Sequence, residues 1–155
     1  MSSALLLEKH FFSKLELKPN LDAKPEGSFS LACAVTIAKA ADDPSRYQIT
    51  LKSTISPDPK TAALPYYSGE IEVVGFFRIA QGYNEDPDRL ASISGASVLF
   101  GAVRELFCNL TARGPWPMVT LPTMNFTPQP TGAASEEMGM PGKNELPAAV
   151  PAAQP

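Results

Sequence analysis

The sequence predicts an α+β fold in which a four-stranded antiparallel sheet is followed by one long C-terminal amphipathic helix. Two observations predict it. Between residues 11 and 79, large apolar side chains recur at alternate positions, which is the period of a β-strand. After residue 87 they recur at every third or fourth position, which is the period of an α-helix. The sheet is therefore expected to precede the helix along the chain.

Four segments have the alternating pattern, at residues 11–17, 29–38, 47–55 and 68–79. In the second segment, Phe29, Leu31 and Cys33 share one face, and small residues occupy the other. The Asp-Asp-Pro-Ser link at residues 42–45 is typical of a turn. The second and third segments are therefore expected to form an antiparallel hairpin.

The helical pattern rests on four residues: Leu99, Val103, Leu106 and Leu110. Ser94 or Ser97 is expected to cap the start of the helix, and Gly114, followed by proline, is expected to end it. With two phenylalanines beside it, the apolar stripe is wider than one four-stranded sheet can cover. A partner subunit is therefore expected to cover the other side of the helix, with these four residues at the interface.

The composition changes after Phe126. Residues 127–155 contain six prolines, six alanines and three glycines among 29 residues, and no aromatic side chain. Such a segment cannot bury enough apolar surface to offset the entropy of ordering. The sequence therefore predicts one folded domain over residues 1–126 and a disordered tail over residues 127–155.

Charge and hydropathy exclude several classes of protein. The chain of 155 residues has 13 basic and 16 acidic side chains, whereas a nucleic-acid-binding domain would be basic. No apolar run approaches the roughly 18 residues that a membrane span needs, so no membrane insertion is expected. The start lacks the pattern of a secretion signal, and two cysteines are too few for a disulfide framework. We therefore expect a cytoplasmic protein.

The residue types that catalysis or metal binding needs are scarce. The chain has one histidine, His10, and no Gly-rich phosphate loop or paired-cysteine motif. A nucleophile made by Cys33 or Cys108 with His10 would need a third, orienting group. Glu70 and Glu72 share one strand face, but a solvated sheet surface explains them more simply than acid–base chemistry. The sequence predicts no enzyme, no cofactor and no metal.

The helix and the segment after it contain a more specific pattern. A Leu-Phe pair is followed by an Arg-Glu pair, then by an Arg-Gly-Pro-Trp-Pro turn, and then by Leu-Pro-Thr-Met-Asn-Phe. This ordered set over residues 98–126 resembles the signature of the SecB family, and a weaker similarity extends upstream to about residue 10. The residues that match the motif are Arg104, Glu105, Arg113, Gly114, Pro117, Asn125 and Phe126.

The resemblance implies both an assembly and a function. SecB-like proteins form homotetramers, as dimers of dimers in which the long helices meet. They are ATP-independent cytosolic chaperones that bind unfolded precursor proteins in hydrophobic grooves. They keep these precursors competent for export and translocation, and pass them to the motor SecA. We therefore expect three kinds of partner: unfolded precursor proteins, SecA and further copies of this chain.

The resemblance also places candidate surfaces. Glu70 matches an acidic position of the surface that receives SecA, whereas Lys14 and Lys18 stand where acids are expected. The second predicted strand matches the family's groove, and a later strand has surplus apolar residues. The predicted client groove is therefore made by Phe29, Leu31, Cys33, Val74 and Phe76.

Two alternatives share the predicted fold. The same apolar surface would serve a chaperone that is dedicated to one client, such as an antitoxin, with no transfer to a motor. A non-chaperone assembly subunit would instead bury these apolar residues permanently in an interface.

Overall fold

A computed structural model of the chain describes residues 3–127 and the backbone of residues 135–139. Within these residues, four long strands are followed by a long helix and a short fifth strand. The helix extends from Pro87 to Thr111. The strands are β1 (Leu5–Pro19), β2 (Phe29–Lys39), β3 (Arg46–Pro57), β4 (Tyr67–Ile79) and β5 (Ser135–Gly139).

The five strands form one antiparallel sheet in the order β1-β4-β3-β2-β5. β2 and β3 pair along most of their lengths, from Phe29 opposite Pro57 to Lys39 opposite Tyr47, so the predicted hairpin is confirmed. β1 pairs with β4, so the connection at residues 20–28 crosses from one side of the sheet to the other. The predicted four-stranded sheet with one helix is confirmed, and β5 adds an edge strand to it.

β1 is longer than the segment that was predicted at residues 11–17. Its pairing with β4 shifts register between Leu7 and Lys9, and again between Phe12 and Lys14. Each shift inserts an extra residue, so the large side chains no longer fall on alternate positions. The first half of this strand therefore lacks a regular alternating pattern and was not predicted.

One face of the sheet packs against the helix and forms the core. From the helix, Leu99, Val103 and Phe107 are at most 1% exposed. The helix is long and apolar enough to cross a membrane, but a core helix of a soluble protein passes the same test, and this one packs on its own sheet. The largest fully buried side chains from the strands are Val35, Tyr47, Ile49, Leu51, Ile55, Ile71, Val73 and Phe77.

The helix begins earlier than the stripe of leucines predicted. Asp86 caps it, since its carboxylate accepts hydrogen bonds of 3.0 and 3.2 Å from the two backbone N–H groups that follow Pro87. The prediction that Ser94 or Ser97 is the cap is wrong, because both residues lie inside the helix. The first two turns are mostly polar or small, so the Asp-Pro pair is their main signal in the sequence.

One π-helical turn, Ala91–Gly95, interrupts the helix where it crosses the sheet. Gly95 lies directly on β3 there, and a Cβ at this position would be 2.2 Å from Cδ1 of Ile49. Glycine is therefore the residue that allows the helix to approach the sheet this closely.

The predicted disordered tail, residues 127–155, lies largely outside the described residues, and the domain boundary at residue 126 stays a prediction. Within the tail, the backbone of β5 pairs with β2, from Thr36 opposite Ser135 to Ala32 opposite Gly139. These five residues therefore form a strand where the composition predicted none. Their pairing uses backbone groups, which composition does not report.

Candidate client-binding surface

The sheet face that turns away from the helix has an apolar cluster in which Phe11 is exposed and Phe76 is half-buried. Phe11 on β1 lies opposite Val74 on β4, and the rings of Phe11 and Phe76 have centroids 6.3 Å apart. Phe11 is 43% exposed and Val74 is 8% exposed, and neither belongs to the core cluster beneath the helix. We call Phe11, Val74 and Phe76 the outer patch. Phe11 is its most exposed member, and an exposed apolar side chain with apolar neighbours is a candidate site for binding other apolar groups.

Charged residues flank the outer patch at both ends along β4. At one end, Glu8 pairs with Arg46 and Arg78, each through a contact of 3.0 Å. Hydrogen bonds from these two guanidinium groups, Arg46 first, lower the pKa of the Glu8 carboxyl. The outer patch is therefore bordered here by an ion-pair network rather than by further apolar surface.

Glu70, the predicted SecA contact, lies at the other end. Its carboxylate pairs with Lys14 at 2.6 Å and with Lys52 at 3.2 Å, and its side chain is 18% exposed. The hydrogen bond from Lys14 is the largest cause of the lowered pKa of Glu70. The negative charge of Glu70 is therefore balanced inside the chain by two lysines on neighbouring strands.

The five predicted groove residues do not lie on one surface. Val74 and Phe76 belong to the outer patch, whereas Leu31 and Cys33 face the helix and are 3% and 0% exposed. Phe29 is half-buried at the start of β2, on the helix side. The alternation in the sequence identified the two faces correctly, but it does not say which face a helix will cover.

Burial also decides the chemistry of Cys33. It raises the pKa of the thiol to about 11, and the hydrogen bond with Ser53 offsets only part of that effect. The thiol is therefore protonated at neutral pH and is not an activated nucleophile. Within residues 3–127, no group of three His, Cys, Asp or Glu side chains is placed to hold a metal ion.

Phe11 is the member of the outer patch that sequence reasoning did not single out. It lies in a predicted strand beside Phe12, and the two rings point to opposite faces of β1. An aromatic pair in a strand therefore places one large ring on each face. That pattern was a usable signal for exposed apolar surface.

The four predicted interface residues divide into two pairs. Leu99 and Val103 are 0% exposed against the sheet of their own chain, whereas Leu106 and Leu110 are half-buried.

A second half-covered apolar strip lies on the helix side of β1, where Leu15 is 49% exposed. The strip continues along β1 with Leu5, Leu7, Phe12 and Leu17.

The turn motif holds the end of the helix to the sheet. Gly114 lies so close to Tyr67 on β4 that a Cβ would be 2.1 Å from the phenol oxygen. That oxygen accepts a hydrogen bond from the backbone N–H of Trp116 and donates one to the carbonyl of Thr111, both at 3.3 Å. The motif therefore has glycine at position 114 because a larger side chain would collide with Tyr67.

The closing segment of the motif completes the core. Nε of Arg104 donates a hydrogen bond of 3.0 Å to the carbonyl of Leu121. The ring of Phe126 packs edge-on against Phe100, with centroids 5.9 Å apart. These motif residues therefore have structural roles. The other motif residues are at the surface: Glu105, Arg113, Pro117 and Asn125.

The chain matches the model of one protein family over most of its length. The family model described as preprotein translocase subunit SecB matches residues 13–129. The chain belongs to the SecB family. Proteins of this family are soluble, and the membership supports the expectation that the protein is a chaperone and not an enzyme.

Two individual proteins illustrate the breadth of the similarity. An uncharacterized protein of Methanocaldococcus jannaschii is 27% identical over 117 residues, which are 76% of this chain and 74% of that protein. The SecB-like chaperone Rv1957 of Mycobacterium tuberculosis, solved in complex with a ChAD peptide from the Rv1956 HigA1 antitoxin, matches with a TM-score of 0.62 at 16% identity. That match covers 79% of this chain and 91% of the other, and it shows that the two share a fold.

Proposed function

We propose that the protein is an ATP-independent cytosolic chaperone that binds unfolded precursor proteins and keeps them from folding or aggregating before export. The outer patch is the observation that carries this proposal. In a family of chaperones, the exposed ring of Phe11 and the partly buried ring of Phe76 beside it offer a place for apolar segments that a folded protein would hide.

The mechanism needs no nucleotide. Removing apolar surface from water contributes about 25 cal/mol per Å², so several short apolar segments of one extended client together give firm binding. Binding the unfolded state and not the folded state delays folding by mass action. Selection then depends on exposed apolar area rather than on one sequence.

A second candidate is a chaperone dedicated to one client, without transfer to SecA. The ion pairs of Glu70 with Lys14 and Lys52 favour this candidate. They neutralise the carboxylate at the position where SecA was expected to bind and receive the client. The complex of the M. tuberculosis SecB-like chaperone with an antitoxin peptide supports the same candidate.

Self-association is part of the proposal. Leu106 and Leu110 on the helix, and the half-covered strip on β1, leave apolar surface that a second copy of the chain would cover. We propose that the helices meet there, in a dimer or in a homotetramer built as a dimer of dimers. The outer patch would stay open in such an assembly, because it lies on the opposite face of the sheet.

The test of the proposal removes the outer patch. Phe11→Ser with Phe76→Ser should reduce the fluorescence of an apolar dye on the native protein, and should weaken suppression of the aggregation of chemically denatured citrate synthase. Gln48→Ser is the matched control, because Gln48 is an exposed polar residue opposite Phe76 in the same sheet. Equal suppression by all three proteins would contradict the proposed surface. Absence of dye binding to the wild type would favour the assembly subunit.

A further inference from the structure

The edge of β2 is the one place in the described chain where a segment from outside the main domain adds to the sheet. Residues Ala32 to Thr36 have β3 on one side and β5 on the other. The pairing is antiparallel and in continuous register, from Thr36 opposite Ser135 to Ala32 opposite Gly139. The tail of the chain therefore occupies an edge that would otherwise present unpaired N–H and C=O groups.

Strand addition of this kind depends little on sequence. Its hydrogen bonds are made by backbone groups, which every residue except proline supplies in full. An unfolded client offers the same groups, together with the apolar side chains that a chaperone binds. The edge of β2 therefore accepts the same class of ligand from the tail and from a client.

We propose that β5 is an intramolecular stand-in for a client: it covers the edge of β2 in the unloaded chaperone, and an extended client segment displaces it by pairing with the same backbone groups. The inference rests on the proposed function, and it adds the place where the client backbone binds and a device that controls access to it.

The geometry favours displacement. β5 pairs with five of the eleven residues of β2. Residues 29–31 and 37–39 extend beyond β5 at its two ends, so a client strand can begin to pair there and then replace the tail. A client that pairs with all eleven residues forms a ladder twice as long as the tail does.

The tail has one advantage over a client, since it belongs to the same chain. A tethered competitor acts at an effective concentration of the order of millimolar. The apparent affinity for a client is then the intrinsic affinity of the open edge multiplied by the fraction of molecules whose edge is open. Weak or short segments are excluded, and long unfolded segments are accepted.

The experiment uses the full chain with Glu137→Pro and Met138→Pro together. Successive N–H groups of a strand point to opposite sides, so one of two neighbouring residues must donate toward β2, and proline removes that donor. Asn144→Pro with Glu145→Pro is the control, because it places the same change in the tail outside β5. The probe is reduced and carboxymethylated α-lactalbumin, which is permanently unfolded.

We expect the variant at 137 and 138 to bind the probe roughly threefold to tenfold more tightly than the wild type, which corresponds to a tail that closes about two-thirds to nine-tenths of the molecules. Hydrogen exchange at residues 32–36 should be faster in the unloaded variant than in the wild type, and should slow again when the probe binds.

Equal or weaker binding by the variant would overturn the inference and leave the chaperone function intact. Equal exchange at residues 32–36 in the unloaded wild type and variant would also overturn it, because β5 would then not cover the edge. Failure of every protein, wild type included, to bind the probe would instead contradict the proposed function itself.

Discussion

Lys14 on β1 and Glu70 on β4 form an ion pair on the outer face of the sheet, with the lysine nitrogen 2.6 Å from Oε1 of the carboxylate. Lys52 on β3 approaches the other carboxylate oxygen at 3.2 Å. One acid therefore links three neighbouring strands. A motor protein that recognises an acidic sheet surface would have to displace two lysines to reach it.

The first prediction concerns this position. Glu70→Lys should leave both client holding and affinity for SecA unchanged, because the charge of Glu70 is already compensated within the chain. Isothermal titration with SecA checks it, with Glu26→Lys as a control charge reversal at an exposed site between β1 and β2. A loss of SecA binding that is confined to Glu70→Lys would establish transfer through β4.

The second prediction compares two glycines. Gly114→Ala should lower the free energy of unfolding by about 1–3 kcal/mol, since its Cβ would be 2.1 Å from the phenol oxygen of Tyr67. At Gly101 the added Cβ would have no heavy atom within 4 Å except the nearby backbone of its own helix and its two chain neighbours, so Gly101→Ala should stabilise the helix by up to about 1 kcal/mol. Urea unfolding measures both changes. Effects of the same sign would contradict the described packing at the turn.

The third prediction concerns the contact between β3 and the first turn of the helix. The hydroxyl of Tyr47 donates to the carboxylate of Asp88, and Lys39 lies 3.1 Å from the same oxygen. Tyr47→Phe should lower the free energy of unfolding by about 1 kcal/mol at neutral pH, a modest amount because Asp88 is largely exposed to solvent. Tyr66→Phe is the control, because it also removes only a hydroxyl group and keeps the ring that stacks on Trp116.

The difference should depend on pH. The hydrogen bond from Tyr47 is the largest cause of the lowered pKa of Asp88 in the folded state. Its stabilising effect is therefore present above the unfolded value of about 4, and it is lost as the pH falls through the folded pKa. The gap between wild type and Tyr47→Phe should narrow in acid, as unfolding curves recorded at several pH values would show. A gap that widens in acid would mean that the carboxylate does not accept this bond.

The fourth prediction separates core from interface on the helix. Leu106→Asp should reduce the mass measured by light scattering while the circular dichroism of the sheet is retained, because Leu106 is half-buried within its own chain. Leu99→Ala should cost about 2–5 kcal/mol of stability without changing the mass, because Leu99 is wholly buried. An unchanged mass for Leu106→Asp would exclude the helix as the contact between copies.

The sequence predicted those parts of the fold in which one face is buried. The alternation through residues 29–38 and 47–55 identified β2 and β3, since a half-covered strand must place its apolar residues at every second position. The same logic failed for the first half of β1, where the register shift between Leu7 and Lys9 disturbs the period. It also missed the start of the helix, which depends on the capping carboxylate of Asp86 rather than on apolar spacing.

The candidate surfaces were predictable only in part. Val74 and Phe76 could be recognised as surplus apolar residues, but Leu31 and Cys33 lie beneath the helix because alternation does not say which face a helix covers. The compensation of Glu70 needed Lys14 and Lys52 to be placed on adjacent strands, and residue spacing gives no such distance. β5 had no signal in the sequence, because backbone pairing at an edge requires no particular side chains.

The most direct test of the chaperone function is the refolding of a slow-folding client with and without this protein, in the absence of ATP. We expect that refolding is delayed, or that aggregation is suppressed, in proportion to the chaperone added up to a fixed stoichiometry. The proposed function would be contradicted if an excess of the protein left both the rate of refolding and the yield of folded client unchanged.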